Sequence, residues 1–171
     1  MLGRTLGRTL WDFEGAWAVA RAIRHDDGRR AAFEGVARAG RDGEGLAWRE
    51  AGRLAMDGRS WEAERRTLWR PAPEGVPEEV QVLFEDGRPF HRIDLREDRP
   101  AGTHPCGRDL YRVRYDFGAW PEWTATWRVD GPRHAYAMVS RHTPLAGEAL
   151  AGDGALGHSL GPGQAEGIHE P

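Results

Sequence analysis

The sequence predicts an all-β protein, an antiparallel up-and-down β-barrel of roughly 8–10 strands with a short N-terminal helix. Three observations lead to this fold class. Apolar and polar residues alternate with a period of two over short segments, which is typical of strands. Asp-Gly pairs, which suit tight hairpin turns, separate these segments at Asp27, Asp42, Asp57, Asp86 and Asp130. So many strands in 171 residues favour closure, because closure removes exposed sheet edges; a two-sheet sandwich is the alternative.

The elements follow in chain order. Residues 2–10 are predicted to form the helix and to plug one end of the barrel. The first three Asp-Gly pairs are fifteen residues apart, which leaves room for one strand and one turn each. A proline-rich loop over 71–77 and an irregular stretch over 97–108 interrupt the later strands. The residues predicted to share strand faces are Trp17, Val19 and Ile23; Phe33, Gly35 and Ala37; Leu46, Trp48 and Leu54; Trp61, Ala63, Thr67 and Trp69; Tyr111, Val113 and Tyr115; Trp123, Ala125, Trp127 and Val129; and Tyr136, Met138 and Ser140, with two further strands over 80–84 and 90–95.

The chain divides into a lipocalin-like barrel over residues 1–143 and a tail over 144–171. From Leu145 onwards there are seven glycines, two prolines and no aromatic residue. Such a segment buries too little apolar surface to offset the entropy lost on ordering, so the tail is predicted to be disordered.

Composition excludes several kinds of chemistry. The chain has no lysine and no asparagine, which rules out a Schiff-base lysine, a phosphate-loop lysine and a Cys-His-Asn triad. Cys106 is the only cysteine, so no intramolecular disulfide or multi-thiolate zinc site forms. A net charge of −3, with arginines mostly beside acids, predicts neither a nucleic-acid nor a membrane partner. No secretory signal or transmembrane stretch is evident, which predicts a cytoplasmic protein. No cofactor is predicted.

Two sequence matches point to known barrels. Gly15-Ala16-Trp17 resembles the Gly-x-Trp signature of lipocalins and fatty-acid-binding-like barrels, and this resemblance implies that Arg141 packs across Trp17 at the bottom of the barrel. A longer set of segments resembles an uncharacterised, lipocalin-like family known only as a domain of unknown function. That match runs from Trp11 to His142, departs from the family pattern at His134 and His142, and implies a fold but no activity. Its segments are 63–66 with 68–69, 84–91, 104–106 with Asp109 and Tyr111, and Trp127 with 131–132.

The aromatic-rich strand faces also carry polar residues, which predicts a ligand cavity with aromatic walls and polar anchors. Arg21 and Arg65 are the predicted anchors, because a guanidinium group binds a carboxylate or a phosphate through forked hydrogen bonds. In the alternative interpretation Glu50 pairs with Arg65 or Arg21 and the barrel is simply filled. The predicted ligand-binding residues are Arg21, Trp48, Glu50, Arg65, Trp69, His91, Tyr111, Tyr115, Trp127, Tyr136 and Ser140.

Other histidines and the single thiol offer two weaker hypotheses. His104, Cys106 and Asp109 could bind a metal or supply a nucleophile, but their spacing matches no metal motif. The favoured interpretation is a loop in which Asp109 caps backbone amides and Cys106 is buried, and no metal site is predicted. Haem ligation by one of His91, His104, His134 or His142 is the remaining alternative.

The function predicted from these patterns is binding of a small, anionic and partly apolar molecule inside the barrel. The alternative is a metal-independent isomerase, cyclase or hydro-lyase that uses the same cavity, and a third option is a protein that binds a partner through its outer surface. The oligomeric state is left open, with a homodimer as one alternative.

Overall fold

The computed structural model describes residues 7–73, 78–132 and 134–146. All ten strands of these residues belong to one antiparallel sheet. The strands are β1 (Gly15–His25), β2 (Arg30–Asp42), β3 (Gly45–Met56), β4 (Arg59–Pro71), β5 (Glu79–Phe84), β6 (Pro89–Asp94), β7 (Ala101–Cys106), β8 (Asp109–Asp116), β9 (Trp123–Asp130) and β10 (Tyr136–Pro144). Strands that are consecutive in sequence pair with each other, except β6 and β7, and β1 also pairs with β10. The sheet therefore curls into a nearly closed barrel, as predicted, and the two-sheet alternative was wrong.

The hairpin turns lie where the Asp-Gly pairs predicted them. Between β3 and β4, Asp57 has a φ of 52° and Gly58 a φ of 73°, so both central residues are left-handed. Two left-handed residues give a primed turn, whose twist matches that of the flanking strands. The same alternation that predicted the strands sets their inward faces: along β8 and β9 every second residue is buried.

One strand was missed. Residues 101–106 lie within the stretch predicted to be irregular, yet they form β7 and pair with β8 through partners such as Gly102 and Val113. A glycine and a proline among six mostly exposed residues hide the period of two, because the strand depends on its partner rather than on its own propensity. β6 and β7 form the two edges of the sheet, and within the described residues no backbone ladder joins them.

The predicted N-terminal helix is only partly within the described residues. Residues 7–9 have no regular secondary structure, and a single 3₁₀ turn follows at Leu10–Phe13. Among the described residues, Phe13 fills this end of the barrel, and its side chain is fully buried. The tail prediction for 144–171 lies outside the described residues except at 144–146, where Pro144 completes β10. Within the described part of the chain, no helix has the length and apolar character required to cross a membrane.

The two ends of the barrel differ in their side chains. At the end where β1 begins, which we call the closed end, aromatic rings pack around Phe13. Its ring centroid lies 5.0–6.3 Å from those of Trp17, Trp69, Phe117, Trp120 and Trp123. At the opposite end, which we call the mouth, Met56, Trp61 and Ala63 pack against the core but are only partly buried. The interior is therefore closed at one end and partly accessible at the other.

Trp17 occupies the position that the lipocalin signature implies, because it is buried at the closed end. The partner implied for it was wrong. Arg141 is exposed on β10 and is paired with Ala20 of β1, whereas its neighbour His142 faces the interior. The alternation of strand faces explains this result, since adjacent residues cannot both point inward.

Candidate functional site

A layer of buried polar side chains separates the closed end from the mouth. Arg21 of β1 donates from Nη2 to Glu50 Oε2 at 2.7 Å and from Nε to Ser140 Oγ at 2.7 Å. The Trp48 indole Nε1 donates to Glu50 Oε1 at 3.0 Å. The side chains of Arg21 and Glu50 are 6% and 4% exposed, so this is an interior ion pair. It brings β1, β3 and β10 together through their inward faces.

The charges of this layer determine how Glu50 titrates. Burial alone would raise the pKa of the Glu50 carboxyl, but the positive charges of Arg21 and Arg65 and the indole hydrogen bond together lower the pKa to about 2. The Arg21 guanidinium also lies 5.2 Å from the ring centroid of Phe33, which covers its face. Glu50 is therefore ionised at neutral pH. The pairing of Glu50 with Arg21, which the sequence left open, is present in the structure, and the positive charge of Arg65 also acts on Glu50.

Arg65 lies directly opposite Glu50 in the β3–β4 register. It is only half-buried, and the β4–β5 pairing begins beyond it, at Thr67 with Phe84. Arg65 therefore stands between the buried layer and the partly exposed side chains of the mouth. It is the point at which the polar layer meets solvent.

Two histidines complete the layer. His91 Nε2 and the Tyr115 hydroxyl are 2.7 Å apart, and the His142 ring stacks on Trp123 with centroids 3.6 Å apart and an interplanar angle of 9°. Burial lowers the pKa of each histidine to about 3, with the positive charge of Arg65 adding to the effect at His91. Burial also raises the pKa of the Tyr115 hydroxyl. At neutral pH all three side chains are uncharged.

Three buried nitrogen atoms in this layer have no hydrogen-bond partner among the described residues: His91 Nδ1, Trp123 Nε1 and His142 Nδ1. Buried polar groups without a partner are rare, because each retains the cost of its desolvation. The indole nitrogen can only donate, so it requires an acceptor that the described protein atoms do not supply. All three atoms belong to residues that line one cavity.

That cavity is small. The centres of water-sized molecules can occupy about 30 Å³ of it, which is room for about two waters. Sites that enclose a whole drug-sized ligand are roughly 300–1,000 Å³, so the cavity as it stands accepts a chemical group rather than a large molecule. It is lined by Arg21, Trp48, Glu50, Arg65, Thr67, Trp69, Val82, His91, Tyr115, Trp123, Ala125, Trp127, Ser140 and His142.

Nine of the eleven residues predicted to bind a ligand lie around this cavity, and whether they bind one stays a prediction. Tyr111 and Tyr136 are buried but are not among the lining residues. Tyr111 packs near His104, with centroids 6.2 Å apart, and Tyr136 packs near His25 at 5.7 Å. Both lie at the mouth ends of their strands, because β8 and β10 begin there.

Sequence reasoning missed five lining residues. The period-two alternation could have identified them, because residues two apart on a strand share a face, as Thr67 does with Trp69 and His142 with Ser140. Trp123 and Ala125 were placed on the correct strand face but were not included among the predicted ligand-binding residues. The five are Thr67, Val82, Trp123, Ala125 and His142.

The His104, Cys106 and Asp109 segment is a hairpin of β7 and β8 rather than a loop. Cys106 is exposed, so the prediction that it is buried was wrong. His104 packs against Phe84 and Phe90, with centroids 5.5 and 5.3 Å apart, and Asp109 is buried. The described residues contain no group of three or more His, Cys, Asp or Glu that could bind a metal ion. A haem exceeds the volume of the cavity many times, which leaves the buried histidines unsuited to that alternative.

Comparison with known proteins places the chain in a family. Residues 13–144 match the Family of unknown function (DUF6314). The chain belongs to this family. The match spans every strand of the barrel and begins at the residue that fills the closed end. No curated protein matches the chain.

Two solved structures are similar to the barrel. One is the S-type phycobiliprotein lyase CPES from Guillardia theta, with a TM-score of 0.56 and 9% identity over 80% of this chain and 90% of that chain. The other is a protein of unknown function from the DUF3598 family of Nostoc punctiforme, with a TM-score of 0.51 and 10% identity over 81% of this chain and 50% of that chain. At such identities the likeness is one of fold.

Proposed function

We propose that this chain is a small-molecule-binding barrel of the lipocalin-like, calycin type, which holds an anionic and partly apolar ligand. The observation that carries the proposal is the position of Arg65. It lines the interior cavity, lies opposite Glu50 of the buried layer, and is half accessible from the mouth. A cation at the meeting point of solvent and an aromatic interior is suited to attract an anion and to desolvate it.

The mouth supports the apolar part of the ligand. Trp61, Ala63 and Arg65 alternate along the inward face of β4, and the two apolar residues remain partly exposed. A molecule whose charged group reaches Arg65 would lay its apolar part along them. We further propose that the protein works in the cytoplasm and binds no nucleic acid.

The alternative is an enzyme on the same barrel, and one structural neighbour is named a phycobiliprotein lyase, so the architecture does occur in an enzyme. The pKa values of the interior groups favour a binding protein over an enzyme. Efficient general acids and bases have pKa values near the working pH. Here burial moves the pKa of His91 down to about 3 and the pKa of Tyr115 upward, away from neutrality.

The test is a set of three six-carbon probes that differ in charge: hexanoate, hexanol and hexylammonium. Hexanoate is expected to raise the Tm by about 3–6 °C at a concentration near ten times its Kd, and the other two are expected to have no effect. Arg65→Leu should abolish the hexanoate effect. Arg66→Leu is the matched control, because Arg66 is adjacent on β4 but bonds the outer carboxylate of Asp42 at 3.0 Å. Equal stabilisation by hexanol, or a hexanoate effect retained in Arg65→Leu, would contradict the proposal.

A further inference from the structure

The junction between β6 and β7, which we call the seam, differs from every other junction between neighbouring strands of the described residues. Backbone ladders join all the others, whereas β6 and β7 are the two edges of the sheet. Each edge strand contains a proline, Pro89 in β6 and Pro105 in β7. Proline lacks an N–H and is found at sheet edges rather than within a ladder. The sequence of the two edges therefore disfavours closure of the seam by backbone hydrogen bonds.

Side-chain contacts connect the two sides of the seam instead. Near the mouth, the His104 ring of β7 lies against Phe84 and Phe90, with ring centroids 5.5 and 5.3 Å apart. Deeper in the barrel, His91 of β6 reaches Tyr115 of β8, and His91 Nε2 and the Tyr115 hydroxyl are 2.7 Å apart. A region without a ladder opens at a lower free energy than a pair of hydrogen-bonded strands. The seam is therefore the place where this barrel separates most easily.

Gly102 of β7 allows the two edges to approach closely. A Cβ atom on Gly102 would lie 3.2 Å from the Arg92 carbonyl oxygen and 3.5 Å from both His91 Cβ and Val113 Cγ1. The φ of Gly102 is not positive, so the backbone conformation does not require a glycine here. The missing side chain serves the close approach. Because His91 lines the cavity, this part of the seam lies beside the cavity wall.

The size of the cavity makes the seam relevant to binding. Its 30 Å³ is too small for a molecule that has an apolar chain, so the barrel must enlarge to hold one. No residue of β7 lines the cavity, although its neighbours β6 and β8 contribute His91 and Tyr115. Enlargement between paired strands would break ladder hydrogen bonds. Enlargement at the seam would break side-chain contacts only.

We infer that the seam is a lateral gate, at which the β5–β6 hairpin moves away from β7 and opens the cavity to molecules larger than water. The hairpin is suited to this movement, because its ladder with β4 covers only Thr67 to Pro71. The inference deepens the function proposed above, since it assigns the place where the cavity enlarges for its ligand. The opening itself is a property of the barrel, and its measurement needs no ligand.

Hydrogen exchange of tryptophan indole N–H groups, followed by NMR of the full chain in D₂O at neutral pH, reports on the gate. Trp48 and Trp69 are the reporters, because they line the cavity and donate to the side chains of Glu50 and Thr67. Trp17 is the reference, because its indole donates to the Phe13 carbonyl at the closed end. Opening at the seam should expose the two reporters and leave Trp17 protected.

A disulfide across the seam should keep the gate shut. His91→Cys with Gly102→Cys supplies the two thiols, since 3.5 Å between the Cβ atoms is within the range of disulfides. Cys106→Ser removes the exposed native thiol. Oxidation should slow exchange at Trp48 and Trp69 at least about tenfold and leave Trp17 unchanged. The same protein in its reduced form is the matched control, because it carries the same substitutions.

A wedge at the seam should have the opposite effect. Gly102→Val places a side chain where even a Cβ is tight against Arg92 and His91, so exchange at Trp48 and Trp69 should become about tenfold faster. Thr103→Val is the control, because Thr103 is the adjacent residue of β7 and is exposed.

Reporter exchange that neither the disulfide nor the wedge changes would show that water reaches the cavity through the mouth, and it would overturn the gate. An equal change at Trp17 would show that the barrel opens as a whole, which also overturns it. The disulfide and the wedge act in opposite directions, so either one decides the question if the other variant does not fold. Failure of hexanoate to bind a protein in which the gate is confirmed would reject the proposed function alone.

Discussion

The closed end and the mouth of this barrel are built from the same alternating strands, but their interiors are packed and hydrogen-bonded differently. At the closed end Trp17 Nε1 donates to the Phe13 carbonyl at 2.9 Å, and the surrounding rings contact one another. Toward the mouth, apolar residues such as Trp61 face inward while partly exposed, and the adjoining polar layer includes an indole N–H, on Trp123, that has no partner among the described residues. The comparison shows that aromatic rings close one end of the barrel, whereas the interior toward the mouth stays partly accessible.

The largest expected effect comes from the ion pair on which the polar layer depends. Glu50→Ala leaves the Arg21 guanidinium buried without its carboxylate and should lower the free energy of unfolding by about 3–5 kcal/mol. Replacing both residues, as Arg21→Met with Glu50→Leu, should recover much of the loss. Urea unfolding of the two single variants and the double variant measures the coupling.

A surface pair provides the control for that cycle. Glu14 and Arg41 are joined at 3.1 Å, but their side chains are 40% and 62% exposed. Glu14→Ala should therefore change the unfolding free energy by less than about 1 kcal/mol. Additive effects of the Arg21 and Glu50 substitutions would show that the interior pair is not coupled in solution.

The closed end should be nearly as sensitive as the ion pair. Phe13→Ala removes a fully buried ring that five other rings surround, and a loss of about 3–5 kcal/mol is expected. Trp61→Ala at the mouth removes a larger ring that is partly exposed, and it should cost clearly less, because less buried surface is lost. Thermal and urea unfolding of the two variants show which substitution costs more stability. A greater loss for Trp61→Ala would show that the mouth is packed as tightly as the closed end.

The buried histidines make the protein sensitive to mild acid. Their pKa values, about 3 in the fold, lie below the value of 6.5 for a free histidine, so the unfolded chain binds protons first as the pH falls. The contribution of the neutral, buried histidines to stability is therefore fully present above pH 6.5 and is lost progressively as the pH falls toward 3. Between pH 7 and pH 5 each histidine should contribute a loss of about 1–2 kcal/mol.

Glu50 does not interfere in that window, because its stabilising effect is lost only between pH 4.5 and about 2. Urea unfolding at pH 7, 6 and 5 measures the slope. His142→Phe, which keeps a ring on Trp123, should show a shallower slope than the wild type. His134→Phe is the control, since His134 is only half-buried and lies outside the cavity. An equal dependence of the unfolding free energy on pH in all three proteins would show that the acid sensitivity comes from other groups.

Sequence alone predicted the barrel because period-two alternation and Asp-Gly turns are local signals. The inward positions of Arg21, Glu50 and Ser140 follow from that alternation, since each is in phase with a buried aromatic or apolar residue. The strand β7 was not predicted, because its pairing with β8 is a tertiary interaction that its Gly-Thr-His-Pro composition does not reveal.

The pairing of Arg21 with Glu50 could be offered from the sequence only as an alternative, for a different reason. Alternation indicates which residues face inward but not which of them meet across a closed barrel. Arg21 and Glu50 lie on β1 and β3, separated by β2, and only the curvature of the sheet brings their side chains within 2.7 Å. His142 was discounted because it departs from the pattern of the resembling family, although its phase with Ser140 placed it inside.

The smallest expected effect is also the most direct probe of the difference between the two ends, since it uses one substitution at both. Ala39 is 4% exposed near the closed end, where it pairs with Trp48, and a leucine there should overpack the core and cost about 1–3 kcal/mol. Ala63 at the mouth is partly exposed and lies opposite Gly52, which has no side chain to displace. Ala63→Leu should therefore change stability by less than about 0.5 kcal/mol.

Ligand binding gives the same substitution a second readout. A leucine at position 63 would occupy the surface on which we place the apolar chain of the ligand, so hexanoate should bind weakly to Ala63→Leu although the protein is as stable as the wild type. Acetate, whose chain does not extend beyond Arg65, should bind both proteins alike. A destabilised Ala63→Leu would mean that the mouth is filled by its own side chains, and unchanged hexanoate binding in a stable variant would move the ligand chain away from β4.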